Sequence, residues 1–130
     1  TDEVAEPNAF AVCAAVAAFN GGGEWLDELR KYLFENKKTV REFIANQISS
    51  LKVGPSEATY LLGIDCCSLG CNSREFAKFL RKETGLFLSN GAQYGCGGEN
   101  FLRMNVACPK SLVLDGLERL KRGVDEYMNK

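Results

Sequence analysis

The sequence predicts an α+β domain, a small mixed or antiparallel sheet of three to four strands packed with helices. Three observations carry this reading. Apolar residues recur at three-and-four spacing in long segments near both ends of the chain. Short runs rich in strand formers, bounded by Gly, Pro or Asn, lie between those segments. At 130 residues the chain has the size of one domain and can bury roughly two thirds of its unfolded surface without disulfide or metal staples.

The opening TDEVAEP is polar, acidic and closed by a proline, as suits a connection. NAFAVCAAVAAFN, 8–20, is nearly all small and apolar, which predicts a helix buried on most faces and stopped by Gly21, Gly22 and Gly23. From Glu24 to Ser49, Trp25, Leu26, Leu29, Leu33, Val40, Phe43, Ile44 and Ile48 trace one face of a long amphipathic helix. Lys31, Lys37, Lys38 and Arg41 on its other face read as solvated charge, and Trp25 and the phenylalanines read as core.

ATYLLGID, 58–65, is the first predicted strand. Asn72 with Glu75 forms a capping pattern for a helix whose face is Phe76, Ala77, Phe79 and Leu80 and whose stop is Gly85. GLFLS, 85–89, and FLRMNV, 101–106, are the second and third strands. A closing helix runs from Ser111 to Met128 with Leu114, Leu117, Leu120 and Val124 on one face. The helices are predicted to cover mainly one face of the sheet.

Composition narrows the function. With 45% hydrophobic and 25% charged residues and a formal net charge of -1, no basic stripe points to nucleic acid. The longest apolar segment, Ala9 to Phe19, is too short to cross a bilayer, so the expectation is a cytoplasmic protein with no membrane partner. The chain contains no histidine, which excludes Ser-His and Cys-His catalytic pairs built from these residues alone. Cys66, Cys67 and Cys71 lack paired CxxC spacing, and no metal site is expected. Cys13 and Cys108 read as small buried hydrophobes, and a secreted disulfide scaffold would be shorter and richer in cysteine.

The loop SNGAQYGCGGENF has Asn100 where a dinucleotide fingerprint needs its third glycine, and it lacks the Lys-Ser/Thr of a P-loop. A flexible lid and a plain surface turn both fit it. In the strand that follows, alternation puts Leu102, Met104 and Val106 on one face and Phe101, Arg103 and Asn105 on the other. The guanidinium of Arg103 offers a planar fork that matches a carboxylate or phosphate. An exposed strand arginine without a ligand is the alternative at this level.

GGGEWLDELRKYLFENKK (21–38), ATYLLGIDCCSLG (58–70) and GLFLSNGAQYGCGGENFLRMNVACPKSLVLDGLERLK (85–121) together resemble the C-terminal portion of fold type I, pyridoxal-phosphate-dependent class I/II aminotransferases. The cystathionine beta-lyase group, of the MalY/PatB type, is the nearest in pattern. The resemblance implies residues 1–22 as a linking segment and helix from a large domain missing here, and 23–130 as the C-terminal small domain. It implies that Arg103 pairs with the α-carboxylate of an amino-acid substrate, with Tyr94 and Asn105 beside it. Tyr94 stands where the family usually has phenylalanine, and Cys67 where it often has arginine.

The resemblance further implies pyridoxal phosphate in the full-length enzyme, a homodimer, and transamination or C-S β-lyase chemistry that begins with loss of the Cα proton to a lysine. That lysine follows a serine in the family, and no lysine here follows a serine or threonine. The 130-residue chain is therefore expected to hold no cofactor and to be inactive alone. The alternative is a stand-alone α+β module that binds a small anionic ligand or regulates.

Overall fold

A computed structural model describes residues 8–130. They fall into two compact units, one ending at Tyr32 and the other running Leu33–Lys130. The expected connection at TDEVAEP lies outside the described residues.

The first unit contains helix α1, Ala9–Gly21. Asn8 caps it, its Oδ1 accepting the Ala11 N–H at 2.8 Å. The helix forms where the small apolar run predicts it, but its residues are exposed: Phe10 is 86% and Phe19 92% accessible. Burial on most faces is thus not seen, because an apolar composition states what a helix needs covered and not what covers it. Cys13 is exposed for the same reason, and Trp25, expected in the core, is 69% accessible. Helix α2, Gly23–Gln47, crosses from the first unit into the second.

The second unit holds the sheet. Strands β1 (Lys52–Val53), β2 (Leu61–Asp65), β3 (Ser89–Asn90) and β4 (Phe101–Asn105) lie in the order β1-β2-β4-β3, every neighbouring pair antiparallel. The predicted strand at 85–89 shrinks to Ser89–Asn90, displaced toward the loop, and β1 has no counterpart in the sequence reading. Leu62, Ile64, Leu102 and Met104 are buried on one face with Val40 and Ile44 of α2, Phe76 and Leu80 of α3 (Ser73–Thr84), and Val113, Leu117, Leu120 and Val124 of α4 (Lys110–Met128).

Local signals explain the helix ends. Asn72 Oδ1 accepts the Glu75 N–H at 2.9 Å, and Gly85 takes the left-handed φ of 73° that ends α3. On α4 the buried stripe is turned from the expected one: Val113, Gly116 and Gly123 face inward and Leu114 is exposed. Gly123 lies where a Cβ would collide with the Leu80 side chain, so a bare backbone lets α3 and α4 approach. Of the phenylalanines only Phe76 is fully buried; Phe34 and Phe87 are exposed.

Two of the helix cations are not merely solvated. Lys37 Nζ donates to the carbonyls of Ser56 and Ala58, each at 3.2 Å, and Arg41 Nη2 donates to Gly54 O at 2.9 Å. They fasten the loop before β2. Asn36, fully buried on α2, donates through Nδ2 to Val106 O at 3.0 Å and Cys108 O at 3.1 Å. These bonds fix the segment that leaves β4.

Candidate functional site

Strand register builds the site on the face of the sheet that the helices leave open. Arg103 lies opposite Gly63 on β2 and Ser89 on β3, while Phe101 pairs with Asp65 and Asn105 with Leu61. Cross-strand partners point the same way, so these residues share Arg103's side of the sheet. Alternation along β4 is as the sequence predicts: Leu102 and Met104 are buried, and Phe101, Arg103 and Asn105 are exposed.

The guanidinium of Arg103 is held from the β3 side. Its Cζ stands 4.7 Å from the centroid of the Tyr94 ring, and Nη2 donates to Ser89 Oγ at 3.4 Å. An aromatic face attracts a cation while leaving the in-plane N–H groups for an anion. Among the described residues no carboxylate forms an ion pair with Arg103, although five such pairs occur elsewhere. The structure thus brings two of the expected site residues, Arg103 and Tyr94, into contact. The third, Asn105, lies on the same face with its Oδ1 accepting the Ala107 N–H at 2.8 Å, which turns the chain toward α4. Ser89 was not among the expected residues, since it emerges only from the β3–β4 register.

Tyr94 closes a 3₁₀ turn, Gly91–Tyr94, at the start of the glycine-rich loop. The loop is fastened rather than free. Ser73 N–H donates to Glu99 O at 2.6 Å, Cys66 N–H to Asn100 O at 2.8 Å, and Phe101 N–H to Gly98 O at 3.0 Å. Gly91 and Gly98 meet backbone to backbone: a Cβ on Gly91 would fall 2.7 Å from Phe101 O and nearer still to Gly98 O. Glycine is required there so that the turn can place Tyr94 against Arg103.

The cysteines do not join this site, and all six are free thiols. Cys66 is buried, and that burial pushes its thiol up to about 11, with Cys71 and Asp65 adding to the effect. Such a thiol stays protonated near neutrality and is a poor nucleophile. Cys71 and Glu75 hold the phenol of Tyr127 above its ordinary range, Glu75 Oε1 accepting the Tyr127 O–H at 2.9 Å.

Residues 4–120 match the family profile described as aminotransferase class I and II. The chain belongs to that family. It is 37% identical over 114 residues to the cystathionine beta-lyase PatB of Bacillus subtilis, covering 88% of this chain and 30% of that protein. With protein MalY of Escherichia coli it shares 29% identity, covering 92% of this chain and 30% of that relative. The crystal structure of cystalysin from Treponema denticola, which contains a pyridoxal 5'-phosphate cofactor, superimposes with a TM-score of 0.87 at 28% identity, over 92% of this chain and 30% of that one. This family member thus spans about 30% of the length of its relatives.

The residues around Arg103 do not by themselves fit pyridoxal phosphate. A phosphate dianion asks for several donors, and this face offers one guanidinium already engaged with Tyr94 and Ser89. The nearby N-terminus of α3 is closed by Asn72 Oδ1 on Glu75 N–H and Glu99 O on Ser73 N–H. Lys52 stands on the edge strand, two strands from β4. What the arrangement can do is hold a planar anion. No single helix among the described residues is long and apolar enough to cross a membrane.

Proposed function

We propose that this chain is the substrate-carboxylate-binding part of a longer pyridoxal-phosphate-dependent C-S β-lyase or aminotransferase acting on amino acids. The observation that carries the reading is Arg103 itself: a cation on the open face, oriented by the Tyr94 ring and paired with no carboxylate of the described chain. A planar carboxylate accepts two parallel N–H bonds from such a fork. Tyr94 borders the ligand and sets the plane of the guanidinium. Asn105, oriented by Ala107 N–H, adds its amide as a second donor on the same face.

The cofactor site and the lysine that would take the Cα proton belong, in this reading, to residues outside these 130. Residues 1–22 then form the link to that remaining part, and the exposed apolar side chains Phe10, Val12, Val16 and Phe19 of α1 are what it covers. The full-length protein is proposed to be a homodimer, and the 130-residue chain to be inactive alone.

The test replaces Arg103 in the full-length enzyme. Loss of a charge-assisted bidentate pair of about 3 kcal/mol predicts a fall in kcat/KM of about a hundredfold for Arg103→Ala, carried mainly by KM. Arg103→Lys recovers only part, because an ammonium keeps the charge and loses the fork. The cofactor absorbance should be unchanged in both. An unaltered kcat/KM in Arg103→Ala would remove the carboxylate-binding role.

A further inference from the structure

The position across from Arg103 on β2 carries no side chain. Gly63 is in the middle of the central strand pair, its neighbours Leu62 and Ile64 buried on the opposite face. A glycine inside a strand gives up packing and costs about 0.5–1 kcal/mol relative to alanine. Nothing local demands it. Gly63 is absent from the glycines with positive φ, and a Cβ built there would meet a single neighbouring atom, Phe101 Cδ1 at 3.9 Å, an ordinary contact.

The direction in which Arg103 leans makes the gap usable. Both groups that hold the guanidinium, Ser89 Oγ and the Tyr94 ring, come from the β3 side, so neither covers the β2 side above the half-buried Gly63. That space has Arg103 on the adjoining strand, the Phe101 ring at one end and bare backbone for a floor. Phe101 is itself partly exposed, at 37%. A cation with an aromatic ring close by suits a carboxylate whose neighbouring carbon bears an apolar substituent.

We infer that Gly63 is a specificity-determining residue: it keeps open a slot beside Arg103 in which the apolar substituent of the bound carboxylate lies against Phe101. The inference rests on the carboxylate-binding reading of Arg103 and adds what the substrate carries next to that carboxylate. It selects amino acids with bulky apolar or extended side chains over small ones. A side chain at position 63 would fill the slot while the fork of Arg103 remained in place.

Two simple carboxylic acids separate the inference from its premise. The dissociation constants of acetate and 3-phenylpropanoate are measured by calorimetry on the full-length protein and its Gly63→Ala, Gly63→Val and Arg103→Ala variants. The native protein should bind 3-phenylpropanoate the more tightly. Gly63→Val should weaken it at least tenfold and acetate less than twofold, with Gly63→Ala between; valine suits a strand, and the alanine variant gives the same reading if valine disturbs folding. Equal weakening of both acids, or no change in either, overturns the slot. Acetate binding that survives Arg103→Ala overturns the carboxylate site itself, whatever position 63 does.

Discussion

Replacing Asn36 should loosen the segment that leaves β4 and carries the chain from Arg103 to α4. The side chain is fully buried and donates to Val106 O at 3.0 Å and Cys108 O at 3.1 Å, while its Oδ1 is buried with no partner. In Asn36→Leu both carbonyls lose their donor. One lies in the core and the other in a half-buried loop, so the loss is about 2–4 kcal/mol. Removing the unsatisfied Oδ1 returns about 1 kcal/mol. The net destabilisation of about 1–3 kcal/mol corresponds, at roughly 4 °C per kcal/mol for a domain of this size, to a Tm lower by about 4–12 °C.

Asn36→Asp sharpens the test, because it keeps the shape and exchanges both donated hydrogens for an acceptor facing two carbonyls. The buried carboxyl must hold a proton to fold, so its folded-state pKa is raised. The folded form then binds more protons than the unfolded one above about pH 4, and stability falls as pH rises from there. Thermal melts of the chain at pH 5 and pH 8 provide the assay. A leucine variant that melts within a degree or two of the native chain, or an aspartate variant with no added pH slope, would refute the reasoning.

Tyr94→Phe should leave KM within about threefold, since the ring still faces the guanidinium, whereas Tyr94→Ala should raise KM about tenfold by losing a cation–π contact of about 1 kcal/mol and the shape of the site; steady-state kinetics of the full-length enzyme decide. Cys66 binds its proton more tightly when folded, so chain stability should fall between pH 9 and about 11 by up to about 2–3 kcal/mol, and urea titrations should show that slope flattened in Cys66→Ala. In native chain, an aromatic disulfide reagent at pH 8 should modify exposed Cys13, Cys67 and Cys96 well before Cys66. Gly91→Ala should cost at least about 2 kcal/mol, because the new methyl meets backbone carbonyls that cannot rotate away; a melt unchanged from the native chain would contradict this.

What could be read in advance depended on how local its cause was. The ends of α3 followed from Asn72 and Gly85, and the placing of Arg103 on the face opposite Leu102 and Met104 followed from strand alternation. Strands β1 and β3 span two residues each, too few for any periodicity to register. The stripe on α4 differs from the expected one because Gly116 and Gly123, which look like interruptions, are buried, and at Gly123 a Cβ would run into Leu80. Leu114, the more hydrophobic residue, was left outside. Ser89 and Gly63 gain their places beside Arg103 only through pairing register, which joins residues 14 and 40 positions away from it in the sequence. The loop's firmness likewise comes from partners at Cys66 and Ser73.

The two-residue strands have a bearing on how copies of this chain meet. A sheet invites another chain to extend it in proportion to the length of ladder left open at its rims. Here the long strands, β2 and β4, are paired with each other at the centre, and each rim is only two residues wide. Pro55, close behind β1, cannot lengthen that rim with a further donor. Self-association by strand addition is thereby discouraged, and the apolar surface the chain does expose, at Phe10, Phe19 and Trp25, lies away from the sheet in sequence, so polar substitutions there leave the ladder untouched.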